Sequence, residues 1–117
     1  TMLDGHPNNS ELFDIKHDRG GMVDIEFIVQ YLVLAHSRRH ARLMQNDGNI
    51  ALLGYAAKLA LIDATLAAQV QDAYRTFRRR QHSLRLEGAS YARVPREEIK
   101  THVEATLKLW NSVLGSE

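Results

Sequence analysis

The sequence predicts an all-α domain, a helical bundle of about four main helices with a polar N-terminal tether. Three observations predict it. Apolar residues recur at spacings of three and four through most of the chain after Gly21. Clusters of turn-forming residues, Gly20-Gly21, Asn46-Asp47-Gly48 and Glu87-Gly88, separate those periodic stretches. The composition, 44% hydrophobic and 25% charged over 117 residues, is that of a globular chain long enough to bury one core.

Residues 1–11 carry Asp, Gly, Pro, Asn and Ser without apolar periodicity and read as a linker or tether; residues 12–117 read as the helical domain. Between Leu12 and Lys16, Phe13 and Ile15 alternate with charged neighbours, which predicts a short extended segment laid on the bundle. Gly20-Gly21 then lets the backbone turn into a first helix, Met22 to about Leu43. Met22, Ile25, Val29, Leu32 and His36 form one stripe along it, and Phe27, Tyr31 and Leu34 form a second. Two apolar stripes predict a central, mostly buried helix whose polar tail, His36 to Leu43, projects into solvent.

Asn46-Asp47-Gly48-Asn49 is a turn that also supplies the N-cap of a second helix, about Asn49 to Leu61, with Ile50, Leu53, Ala57 and Leu61 on one side. Asp63 caps a third helix, about Ala64 to Leu86, whose apolar face runs through Leu66, Val70, Ala73, Phe77, Gln81 and Leu84. Gly88 suits the C-cap. Ala89 to Val94 reads as a loop, and Pro95 as the first turn of a fourth helix, with Glu97 and Glu98 at its positive end. Ile99, Val103, Leu107, Trp110 and Leu114 complete the last stripe, with Trp110 as its anchor.

A formal charge of +1 provides no global field to gather nucleic acid. The chain has no cysteine, which excludes disulfides and thiolate metal sites. No apolar run approaches the roughly 20 residues that span a bilayer, so no membrane is expected. The leader lacks a basic region followed by an apolar one, as a signal peptide would have, and the chain reads as a cytoplasmic piece of something longer.

Chemistry is most plausible at the first helix's N-terminus. Free backbone N–H groups there attract anions, Gly20-Gly21 permits close approach, and Lys16 and Arg19 add positive charge. The opposing reading is a plain glycine turn with Asp24 stabilising the helix dipole. Asp24 and Glu26 lie about 200° apart around a helix and cannot chelate one ion together; Glu26 suits an internal hydrogen bond. His36 and His40 have the spacing of a helical metal pair but no HExxH pattern, so no metal site is expected. The basic stretch from Arg75 to Arg85 is a solvated face or, as the alternative function, the surface by which a stand-alone module binds an acidic protein or nucleic acid. Ser10, Ser37 and Ser83 have no recognisable activating context, so no catalytic residue is expected in this chain.

Three motifs together resemble glutamine synthetase adenylyltransferase, in the segment that follows its catalytic domain. Lys16, Gly20-Gly21 and Asp24-Ile25-Glu26-Phe27 lead into an apolar helix; Asp47-Gly48-Asn49-Ile50-Ala51-Leu52-Leu53 follows with one inserted Gly; Ala73-Tyr74-Arg75-Thr76-Phe77-Arg78 runs on to His82, Leu84 and Leu86. The resemblance covers about Phe13 to Leu86, and the last helix more loosely. It implies a helical C-terminal domain of the adenylylating half of a bifunctional enzyme that attaches AMP from ATP to a tyrosine of glutamine synthetase and also removes it. Its implied partners are glutamine synthetase, the PII signal protein and the enzyme's own nucleotidyltransferase domain. The Asp-x-Asp pair that, with a Gly-Ser turn on a sheet, holds Mg²⁺ and ATP in such transferases is missing from this sequence. The fragment alone is therefore expected to be inactive, and Lys16, Arg19, Gly20, Gly21 and Asp24 become the edge of a nucleotide site. Lys16 and Arg19 would contact the triphosphate, and Asp24 would position Lys16 or a water near the metal.

Overall fold

A computed structural model describes residues 11–44 and 48–115. Most of the tether and the Asn46-Asp47 part of the expected turn lie outside these residues. Strand β1 (Phe13–Asp14) comes first, followed by helix α1 (Met22–His36) and a 3-10 turn over Ala41–Met44. Helices α2 (Asn49–Lys58) and α3 (Ala64–Leu86) follow. Strand β2 (Arg93–Val94), a 3-10 turn over Arg96–Ile99 and helix α4 (Lys100–Leu114) complete the chain. The four-helix, all-α expectation holds. The core runs through the centre of all four helices and β1, with Ile15, Ile25, Ile28, Leu53, Val70, Phe77 and Leu109 fully enclosed.

β1 and β2 pair antiparallel, Phe13 opposite Val94 and Asp14 opposite Arg93. The extended segment was legible from its alternation. Its partner was not, because Ala89 to Val94 reads as a loop and two residues of pairing leave no periodicity. The backbone bond from Ile15 N–H to the Ala92 carbonyl, 2.8 Å, continues the ladder. Phe13 is seated on Phe77 of α3, ring centroids 6.5 Å apart, so this small ribbon is fastened to the longest helix.

α1 ends at His36, well short of Leu43. The polar tail folds back, and Leu43 is buried rather than carried into solvent. The first predicted stripe does line the core, but the second does not: Phe27, Tyr31 and Leu34 are 53%, 40% and 75% exposed. α1 is therefore half-buried, not central. The chain exits α2 through Ala60 at φ 62°, with Leu61 N–H bonded to the Ala56 carbonyl. That is a Schellman closure made without glycine. α3 closes in the same way through Gly88 at φ 86°, where the glycine was expected.

Asp63 caps α3, its carboxylate accepting the Leu66 N–H at 2.9 Å. α2 begins at Gly48 without a side-chain cap. On α4 the enclosed residues are Ala105, Thr106 and Leu109. Trp110 is half-buried beside them, so Leu109 rather than Trp110 is the anchor. The α4 members of the predicted stripe, Val103, Leu107, Trp110 and Leu114, are half-buried, and Ile99 is enclosed in the 3-10 turn before them.

Candidate functional site

The turn between β1 and α1 is the most heavily bonded stretch of polar backbone in the described structure. Asp14 is buried and closes the turn as an Asx motif: its Oδ1 accepts the N–H of Lys16 at 3.0 Å and of His17 at 3.1 Å. Its Oδ2 lies 3.7 Å from His17 Nδ1 and 3.9 Å from Arg93 Nε on the paired strand. Asp18 answers from the other side, accepting the Asp14 N–H at 2.9 Å. Asp24 holds the next step, accepting the Gly20 N–H at 2.7 Å and Arg19 Nε at 2.9 Å.

The glycines have a steric reason. A Cβ on Gly20, at φ 89°, would stand 2.7 Å from Val103 Cγ1 on α4. A Cβ on Gly21 would stand 2.3 Å from the Ile15 carbonyl oxygen and 3.0 Å from that of Asp18. Both residues are buried against the protein itself. The N-terminal amides of α1 are also engaged: Met22 donates to Ile15 at 2.8 Å and Val23 to Lys16 at 3.1 Å. What this turn offers to solvent is therefore side chains, not a cradle of bare N–H groups.

The five residues named from the sequence divide into two groups. Arg19, Gly20, Gly21 and Asp24 meet at the foot of α1, beside α4. The Arg19 guanidinium lies 4.7 Å from the centre of the Trp110 ring, which stacks on Phe27 at 5.4 Å. Lys16 is exposed on the other side of the turn, where it lines a cavity of about 170 Å³ with Gln81 and Arg85 of α3 and the Ala89–Ala92 segment.

Glu26 has the internal role expected of it. It accepts the Tyr74 hydroxyl at 2.8 Å, and that oxygen in turn accepts Asn49 Nδ2 at 3.1 Å, so one polar knot joins α1, α3 and α2. Burial chiefly, and then the bond to Glu26, raise the Tyr74 pKa above its ordinary value, with Asn49 acting in the opposite sense. Sequence reading missed Tyr74 and Asn49, which are far apart along the chain. Asp14 and Asp18 were also missed, although a carboxylate at each end of a short polar turn is a recognisable signal.

The α3 arginines are largely committed locally. Arg75 pairs with Asp72 at 3.0 Å, Arg78 lies 5.9 Å from the centre of the Tyr74 ring, and Arg80 pairs with Glu98 beyond β2. Arg85 has no carboxylate partner among the described residues. No group of three His, Asp or Glu side chains could hold a metal ion among those residues. Asp24 is already bonded twice, so its carboxylate does not suit Mg²⁺, whereas Lys16 and Arg85 suit phosphate oxygens. No helix among the described residues is long and apolar enough to cross a membrane.

A small helical domain whose first helix is fastened by one polar turn is the class that fold and site define. Residues 4–108 match the family model described as GlnD PII-uridylyltransferase, and the chain belongs to that family. Among curated proteins it is similar to the bifunctional glutamine synthetase adenylyltransferase/adenylyl-removing enzymes. It is 56% identical to that of Bordetella bronchiseptica over 94% of this chain and 12% of the relative. It is 58% identical to that of Ralstonia nicotianae over 98% of this chain and 12% of the relative, and 44% identical to that of Nitrosomonas europaea over 98% and 14%. The resemblance read from the three motifs is thus shown. The chain spans 12–14% of the length of these relatives. No solved structure matches it.

Proposed function

We propose that this chain is the C-terminal helical domain of the adenylylating half of a glutamine synthetase adenylyltransferase. It supports transfer of AMP from ATP to a tyrosine of glutamine synthetase, and so the control of nitrogen assimilation, without transferring AMP by itself. The observation that carries the reading is the 50–58% identity to such enzymes across nearly the whole chain, over only an eighth of their length. In this reading Mg²⁺ is held by the nucleotidyltransferase domain elsewhere in the polypeptide. The Lys16–Asp24 edge borders the ATP site, with Lys16 reaching phosphate oxygens while Arg19, Gly20, Gly21 and Asp24 keep the turn in shape. Glutamine synthetase, the PII signal protein and the enzyme's own catalytic domain are its partners, and the cytoplasm is its compartment.

The test is Lys16→Ala at the matching position of the full-length Ralstonia nicotianae relative. AMP transfer should fall at least about tenfold, the loss of one charge-assisted phosphate contact. Transfer kinetics equal to those of the parent enzyme would remove Lys16 from the nucleotide site.

A further inference from the structure

The cavity beside Lys16 has a composition that the nucleotide-edge reading does not require. Lys16 approaches it from the β1–α1 turn and Arg85 from the last turn of α3, two exposed cations from segments far apart in sequence. Neither has a carboxylate partner among the described residues. Asp14 also lines the space, but its charge is occupied by the Lys16 and His17 amides and faces Arg93. The α3 carbonyls that would turn negative charge toward the cavity are taken up by N–H groups of Glu87, Gly88 and Ala89. The balance is positive, and His17, Gln81 and Ser90 add polar groups around the wall. By contrast, the wider groove between α3 and α4 has Glu104 set against Lys108 and no excess charge.

Size narrows the ligand. A volume of about 170 Å³ holds roughly five or six waters at ~30 Å³ each. It is smaller than the ~300 Å³ at which pockets begin to enclose a drug-sized molecule. A phosphoryl or pyrophosphoryl group matches this volume. The planar Arg fork and the Lys point charge can share the oxygens of one such tetrahedral group.

We propose that the cleft between the β1–α1 turn and the C-terminal end of α3 binds a phosphoryl group, held by Lys16 and Arg85 together. The inference rests on the nucleotide-edge reading only in sharing Lys16; the group it binds is either free phosphate or the end of a nucleotide.

The experiment titrates the ¹⁵N-labelled chain with inorganic phosphate, pyrophosphate and ATP at constant ionic strength. Saturable shifts are expected at amides 15–17 and 81–92. Lys16→Gln and Arg85→Gln should each weaken pyrophosphate binding at least about tenfold, while Arg78→Gln, outside the cleft, stays within about twofold. Both glutamine variants alter exposed side chains, so the rest of the amide spectrum should be unchanged and will report folding. Pyrophosphate binding as well as ATP identifies a free phosphate ligand; ATP binding more than tenfold tighter identifies a nucleotide whose base lies outside the cleft. Shifts that never saturate, or an Arg78→Gln loss equal to that of Arg85→Gln, would overturn the proposal as diffuse charge attraction. Should binding be absent while Lys16→Ala still depresses AMP transfer in the full-length relative, the cleft inference fails and the nucleotide-edge reading stands.

Discussion

The β1–α1 turn and the outer face of α3 are both rich in charge and use it in opposite ways. In the turn, Asp14, Asp18 and Asp24 each accept backbone N–H groups, and the charges are built into the fold. On α3, Arg75 pairs with Asp72 one turn away, with both side chains at least half exposed. An exposed pair at this spacing contributes only a few tenths of a kcal/mol. A buried carboxylate bonded to main-chain donors fixes the path of the backbone. Charge density along a sequence therefore marks neither stability nor function; what the charge is bonded to decides.

That contrast can be broken by substitution. The largest effect is expected from Gly21→Ala, because the added methyl meets carbonyl oxygens of the turn's own backbone, which cannot rotate away. A loss of about 3 kcal/mol or more is expected in urea unfolding. A loss under about 1 kcal/mol would mean that the turn is soft. Next is Asp24→Ala, which strands the buried Gly20 N–H and releases Arg19; about 2–3 kcal/mol should be lost.

Tyr74 and Arg75 are neighbours on α3 that point to the two sides of the comparison. Tyr74→Phe should cost about 1 kcal/mol near neutral pH by removing the bond to Glu26. The folded protein holds Tyr74 as the neutral phenol with its pKa raised. Its contribution is therefore complete below the unfolded value of about 10 and is lost as pH climbs through the higher folded value. The gap between parent and Tyr74→Phe should accordingly narrow in unfolding experiments carried into alkali; a gap that widens would contradict the sign. Smallest of all is Arg75→Ala, at no more than about 0.5 kcal/mol and less in high salt.

Helix number, the Asp63 cap and the Gly88 exit were legible because each depends on residues within one or two turns of each other. The end of α1 was not. His36 to Leu43 looks polar, and only the burial of Leu43 by the rest of the bundle shows why the chain turns back. The exposed Phe27–Tyr31–Leu34 stripe misled for the complementary reason: periodicity reports an apolar face, not whether anything covers it. At the site, the sequence drew attention to residues 16–24. It could not show that Lys16 and Arg19 leave the turn on different sides, or that Lys16 and Arg85 line one cavity, since that depends on how β1 packs on α3.

The glycine at position 21 carries a warning for anyone ranking residues by tolerance to replacement. A mutational scan would find nearly every substitution there damaging and would score it alongside residues that touch ligand. Its intolerance has a carbonyl 2.3 Å from where a methyl would go. Soluble yield and pyrophosphate binding measured side by side would fall together at Gly21, whereas at Lys16 binding alone should drop.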